Sequence, residues 1–223
     1  MKTQLVMPAA GLGRRLCCCG PKALIEVGGR PLLARSLACF RGPGLLEGAV
    51  VTVPQGEERR FEACLAYWFP ECAFRLAPGG ADRQDSVARA LDLLEIDTAL
   101  VAIHDAARPF VPAHAIENAV NAAAEYGAAT VAMPVSDTIL EADPDEFLKH
   151  TPDRAKLWAC QTPQTFRVEV IRAAHEHARA HGLRGTDDAT LARRAGHPVK
   201  LVRGSAANLK VTTPDDLTLA EAL

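Results

Sequence analysis

The sequence predicts an α/β protein built on a mostly parallel sheet flanked by helices. Three observations carry this. Apolar runs alternate with helix-period stretches along most of the 223 residues. A glycine loop, Gly11-Leu12-Gly13, stands directly after the first apolar run, where open α/β sheets bind ligands. Apolar residues make up 48% of the chain, enough for a sizeable core. We read residues 1–223 as a single domain with an arm inserted at about 136–160.

The elements follow in order. A first strand is expected at 4–8 and a helix near 31–40. Ala49-Val50-Val51-Thr52-Val53 is the second strand, followed by a helix near 57–67. Phe74-Arg75-Leu76-Ala77 is the third, and Pro78-Gly79-Gly80 then opens a helix running to about Leu94. Residues 99–103 form a strongly apolar strand ending in His104-Asp105-Ala106-Ala107-Arg108-Pro109. A helix is expected from Ala113 to about Tyr126, and a strand over 129–135. The alternation then breaks. Between Ser136 and Thr165 there is no helix period, and Asp143-Pro144-Asp145 and Thr151-Pro152-Asp153 are turn signals, so we expect an extended β-hairpin arm leaving the sheet. Helices resume at 167–181 and from Asp187 to Arg194. Late strands are expected at 199–202 and 208–211, and Thr213 caps a terminal helix with Pro214 at its first position.

Composition narrows the function. A net charge of −2 offers no basic face for nucleic acid. No apolar run approaches the ~20 residues of a membrane span. Met1-Lys2-Thr3-Gln4 leads straight into a strand, so no signal peptide is expected and a cytoplasmic enzyme is the default. Seven cysteines without disulfide or Cys-x-x-Cys spacing suit a reducing compartment, and Cys17-Cys18-Cys19 reads as loop filler rather than a metal site. No zinc set is expected among the seven histidines.

The first loop carries the chemistry. Ala9, Ala10, Gly11 and Gly13 let backbone N–H groups approach phosphate oxygens, and Arg14, Arg15 and Lys22 add positive charge. It is not a P-loop, since Ala23 follows Lys22, and it lacks the third glycine of the dinucleotide fingerprint, where Leu16 stands. Gly79-Gly80, with Ser86 beyond, is a second glycine turn with room for a flat base. Asp105, just past an apolar strand, suits Mg2+, which takes one or two carboxylates with phosphate oxygens and water; Arg108 suits a second anion. Lys210 lies in an apolar run and turns either to solvent or to an anion.

Taken together these motifs resemble the sugar-phosphate nucleotidyltransferases. The set comprises Ala-Ala-Gly-Leu-Gly-Arg-Arg, Pro-Lys, Gly-Gly-x-x-Arg-Gln-Asp-Ser-Val, His-Asp-Ala-Ala-Arg-Pro, Pro-Val-x-Asp-Thr, Gln-Thr-Pro-Gln-x-Phe, Thr-Asp-Asp and Asn-Leu-Lys-Val-Thr. It is similar, in that order over positions 5 to 220, to the 2-C-methyl-D-erythritol 4-phosphate cytidylyltransferases of non-mevalonate isoprenoid precursor biosynthesis. The resemblance implies a Rossmann-like nucleotide-diphospho-sugar transferase fold. It implies transfer of CMP from CTP to 2-C-methyl-D-erythritol 4-phosphate with release of pyrophosphate. Ala9, Ala10, Gly11, Gly80 and Ser86 would hold the cytidine, Arg15 and Lys22 the triphosphate, Lys210 the α-phosphate and Asp105 Mg2+. Thr138, Arg154, Thr162, Thr186 and Arg108 would surround the polyol phosphate. It also implies a homodimer joined by the arm over 136–160, which carries Ile139, Leu140, Phe147, Leu148, Leu157 and Trp158. Two departures stand out: Ala81 replaces an aspartate found near the ribose in some members, and Cys17-Cys18-Cys19 replaces a polar loop. A ribitol-5-phosphate cytidylyltransferase is the nearest alternative. A nicotinamide reductase is disfavoured by Leu16 and by Pro54-Gln55-Gly56 after the second strand, and a nucleotide sensor by the retained charged residues.

Overall fold

The computed structural model describes every residue except 14, 15 and 17–19. Its strands alternate in side-chain direction, and each face of the sheet gathers its own core. From β1 (Thr3–Pro8), Leu5 and Met7 go to one layer and Val6 to the other. The first layer adds Val51 and Val53 of β4 (Val50–Val53), with α1 (Leu32–Ala38), α2 (Glu58–Trp68) and α4 (Ala113–Tyr126) packed through Leu33, Leu37, Phe61, Leu65 and Ile116. The second adds Val101 and Ile103 of β6 (Leu100–Ile103), with α3 (Arg83–Leu91), α5 (Val168–Ala180) and α6 (Asp188–Arg194) packed through Val87, Ile171 and Leu191. A minor antiparallel pair, β2 (Glu26–Val27) and β3 (Arg30–Pro31), precedes α1.

With β5 (Arg75–Pro78), β7 (Ala128–Pro134), β10 (Trp158–Arg167) and β11 (Lys200–Arg203), the main sheet of the described residues has seven strands in the order β11-β7-β10-β6-β1-β4-β5. β1, β4, β5 and β6 run parallel to one another, as do β7 and β11; β10 is antiparallel to both of its neighbours. The chain leaves β1 toward β4 and β5, then crosses back to β6 on the other side of β1. The loops after β1 and β6 therefore diverge, and this switch point is where an open sheet leaves a crevice.

Among the described α-helices, three starts carry side-chain caps. Asp82 caps α3 by accepting from the Asp85 N–H, and Asp187 caps α6 by accepting from Thr190. Thr213 and Asp216 form a reciprocal capping box at α7 (Pro214–Ala222). Gly127, at φ 89°, ends α4 in the left-handed conformation that a side chain disfavours.

Two expectations are corrected. The arm does not extend to residue 160: Trp158, Ala159 and Cys160 already pair with Pro134, Met133 and Ala132, and the strand runs on through Arg167 into the middle of the sheet. What leaves the sheet is a small exposed hairpin of β8 (Glu141–Ala142) and β9 (Leu148–His150). The second correction concerns 208–211, which is not a strand. The segment is pinned instead by the Val211 N–H donating to Ala107 O and by the buried Asn208 side chain donating to Gln161 Oε1 and Thr162 O.

Candidate active site

The crevice beyond β1 and β6 is a cleft of about 510 Å³, within the range of small-molecule sites. It is lined by Ala9, Ala10 and Gly11 after β1, Lys22 beyond that loop, Gly80 and Ser86 around the start of α3, Asp105 after β6, and Lys210. Eight of the residues expected from sequence thus meet in one place. Arg15, the ninth expected at the nucleotide, lies outside the described residues, as do Cys17, Cys18 and Cys19.

The two glycine turns are locked to each other. A Cβ on Gly79 would stand 2.2 Å from Ala10 Cβ, and one on Gly80 would stand 2.3 Å from Asp85 Cβ and 2.9 Å from the Ser86 nitrogen. Ser86 closes the second turn: its hydroxyl donates to Asp82 O at 2.8 Å and accepts from the Gly80 N–H at 3.0 Å. One acceptor lone pair on Oγ remains for a ligand. The Lys22 N–H donates to Gly11 O at 3.0 Å, which closes the first loop against the segment that carries the lysine.

Asp105 is the electrostatic centre. Its Oδ2 lies 2.7 Å from Lys210 Nζ, and its Oδ1 accepts from Arg83 Nε at 3.0 Å. Burial opposes its charge, but Arg83 and Lys210 more than offset that and hold the carboxyl well below the usual carboxylate range. Its backbone N–H donates to Thr162 Oγ1 at 3.1 Å, and the same hydroxyl lies 3.0 Å from His104 Nδ1. Burial pushes His104 down to about 4, so the imidazole is neutral at physiological pH and serves as a strut. Thr162 therefore orients Asp105 from behind.

The other residues expected around a polyol phosphate do not line this cleft. Arg108 donates to Asn208 O at 2.7 Å and Cys160 O at 3.3 Å. Thr186 is exposed just before α6 and donates to Asp187 at 3.2 Å. Thr138 and Arg154 are exposed on the segment around the hairpin, where Arg154 Nη1 donates to Ser136 O at 2.7 Å.

Sequence reasoning passed over Arg83. It lies within the Gly-Gly-x-x-Arg motif, but its importance comes from Asp105 and Asp188, 22 and 105 residues further along the chain. Arg83 and Lys210 take one lone pair on each Asp105 oxygen and leave a second, so Asp105 could supply one ligand to a hard cation such as Mg2+, which takes the rest of its shell from phosphate oxygens and water. No group of three or more His, Cys, Asp or Glu side chains among the described residues makes a metal cage.

Comparison with known proteins agrees with this geometry. A family model described as "IspD: 2-C-methyl-D-erythritol 4-phosphate cytidylyltransferase" matches residues 3–223. A 2-C-methyl-D-erythritol 4-phosphate cytidylyltransferase from Geobacillus kaustophilus is 44% identical over 223 residues, spanning 100% of this chain and 97% of the relative. One from Deinococcus radiodurans is 47% identical over 222 residues, spanning 100% of this chain and 89% of the relative. The crystal structure of the enzyme of that name from Thermus thermophilus superposes with a TM-score of 0.83 at 38% identity, covering 100% of this chain and 98% of the other. A 4-diphosphocytidyl-2C-methyl-D-erythritol synthase from Anaerococcus prevotii superposes at 0.85 with 28% identity, covering 99% and 97%.

Proposed function

The chain belongs to the 2-C-methyl-D-erythritol 4-phosphate cytidylyltransferase family, and we propose that it does what its relatives are named for: it transfers CMP from CTP to 2-C-methyl-D-erythritol 4-phosphate and releases pyrophosphate. The observation that carries the reading is the meeting of two glycine turns with Lys22, Lys210 and Asp105 in one cleft. The glycine turns suit a flat base held against backbone, and the lysines suit a triphosphate. Every relative named above bears the methylerythritol name, which favours that polyol over ribitol 5-phosphate.

An oxygen of the substrate phosphate attacks the α-phosphorus, and the bond from that phosphorus to the pyrophosphate oxygen breaks. The second pKa of a phosphate monoester is about 6, so the nucleophile is already a dianion at neutral pH and needs no general base. The neutral, buried His104 agrees with that. Catalysis is then positioning and charge neutralisation. Lys22 and Lys210, with Arg15, offset charge on the phosphates. Mg2+, held through Asp105, supplies further neutralisation when bound.

The same reading assigns Arg108, Thr138, Arg154, Thr162 and Thr186 to the polyol phosphate side. Arg154 reaches its site in the neighbouring subunit of a homodimer. Ile139, Leu140, Phe147, Leu148 and Trp158 on and beside the hairpin are exposed large apolar side chains, and an isolated two-stranded hairpin is marginal in water. A closed two-fold dimer covers them most simply. No helix among the described residues is long and apolar enough to cross a membrane, and the thiols of Cys39, Cys64, Cys72 and Cys160 suit the reducing cytoplasm.

Pyrophosphate release from CTP, measured against both polyol phosphates, tests the activity. Turnover with ribitol 5-phosphate alone would overturn the substrate assignment. Arg154→Ala and Lys22→Ala chains, unfolded and refolded together, test the shared site. Heterodimers then carry one intact site and regain activity; a mixture as inactive as its parents refutes the exchange.

A further inference from the structure

Behind the cleft a line of hydrogen-bonded polar side chains crosses the second helical layer. His175 of α5 lies with Nε2 3.3 Å from Asp188 Oδ1, Asp188 Oδ2 accepts from Arg83 Nη1 at 2.7 Å, Arg83 Nε donates to Asp105 Oδ1 at 3.0 Å, and Asp105 Oδ2 meets Lys210 at 2.7 Å. Asp188 is fully buried and His175 nearly so. The reaction as described uses Lys210 and Asp105 and leaves the other three unexplained.

The third nitrogen of Arg83 points to their role. Nη2 is buried and has no hydrogen-bond partner among the described residues. A guanidinium beside a carboxylate frequently makes two parallel bonds, and Nε with Nη2 is a pair suited to that grip. Here Asp105 is held through Nε alone, while Asp188 holds Nη1 from the other side. Lys210 occupies the carboxylate oxygen that Nη2 would take.

We propose that Asp188, steadied by His175, is a positioning residue that holds Arg83 to a one-point contact with Asp105 and so keeps the second oxygen of Asp105 with Lys210. Asp188 is itself anchored, because the N–H groups of Asp188 and Ala189 both donate to Gln164 Oε1, at 2.8 and 3.0 Å. The anchor thus runs from the central antiparallel strand to the phosphate end of the cleft. Released from Asp188, Arg83 closes on both oxygens of Asp105 and displaces the lysine.

The inference rests on the assignment of Lys210 to the phosphates, and a double-mutant cycle separates the two. Lys210→Met alone tests the assignment: turnover near that of the unaltered protein overturns it. Given a collapse there, Asp188→Asn is expected to lower turnover roughly ten- to hundredfold, the scale of a misplacement of about 1 Å. In the Lys210→Met background it should lower turnover no further, because both act through one interaction. A purely structural residue gives losses that multiply, and that result, or an unaffected single variant, overturns the inference. The crystal structure of Asp188→Asn provides a reading apart from activity. Arg83 on both Asp105 oxygens with Lys210 moved away supports the proposal, and an unchanged Asp105–Lys210 contact overturns it. Should that variant fail to fold, His175→Gln replaces it in the same cycle with a smaller loss expected, and an unaffected or multiplicative result overturns the proposal equally.

Discussion

Gly79→Ala is the sharpest test of how the cleft is built. Gly79 is not in the left-handed region, so its backbone tolerates alanine and any effect is steric. The new Cβ would lie 2.2 Å from Ala10 Cβ, whereas carbon atoms in contact sit at about 3.5 Å or more, so the two turns must part by roughly 1.3 Å. Overpacking of that kind costs about 1–3 kcal/mol, which for a chain of this length lowers Tm by roughly 2–12 °C. The larger effect falls on function, because the moved atoms frame the cleft proposed to hold the nucleotide: a shift of about 1 Å costs on the order of a hundredfold in rate. Pyrophosphate release and a thermal melt on the same sample measure both. Ala10→Gly in addition to Gly79→Ala removes the collision and leaves contacts of 3.3 Å to Val53 O and 3.4 Å to Ser86 Oγ, so the double variant should regain most of the lost turnover. Full turnover in the single variant, or no recovery in the double, would refute the packing of these turns.

Three further outcomes follow from the site and its frame. Lys22→Ala and Lys210→Ala should each lower turnover about a hundredfold or more, the scale of losing one preorganised charge, while far-ultraviolet circular dichroism stays that of the parent. Asp105→Asn should raise the Mg2+ concentration for half-maximal rate, and an unchanged Mg2+ titration would move the metal elsewhere. Asp216 is held down to about 2, first by the Thr212 hydroxyl, against burial, and then by the Thr212 and Thr213 N–H groups. Because its folded pKa is depressed, its stabilisation is present above the unfolded value of about 3.9 and is lost as pH falls toward 2. Asp216→Ala should therefore be less stable than the parent at pH 7 by roughly 0.3–1.5 kcal/mol, the scale of one helix-end device, and the two melting curves should converge between pH 4 and 2.

Much of this was legible in the sequence because the signals are local. An apolar run such as Ala99–Ile103 has no place but a buried strand, and Thr213-Pro214 or Asp187-Asp188 announces a helix start through the side chain that satisfies its free N–H groups. The glycine loop after β1 was legible for the same reason: Ala9, Ala10 and Gly11 adjoin along the chain, and all three line the cleft. The central antiparallel strand was not. Gln161, Thr162, Gln164 and Thr165 fall at the end of the stretch expected to leave the sheet, yet all are buried, and partners for three of them come from far along the chain: Asn208 for Gln161, His104 and the Asp105 amide for Thr162, and the first amides of α6 for Gln164. A buried polar strand is stable only when those partners are in place, and no window of sequence contains them. Lys210 looked like a strand residue for the converse reason: Leu209 and Val211 flank it, but the segment hangs on Ala107 O and Asn208 rather than on a ladder. Arg83 shows the division most clearly. Residue type and position come from the sequence, but whether an arginine at the start of a helix is solvated or clamped between two buried carboxylates depends on where residues 105 and 188 are carried by the fold. Local chemistry determined the elements and the glycine loop that lines the cleft; the long-range pairing of buried polar groups, which only tertiary structure can satisfy, decided how the charges behind that loop are held.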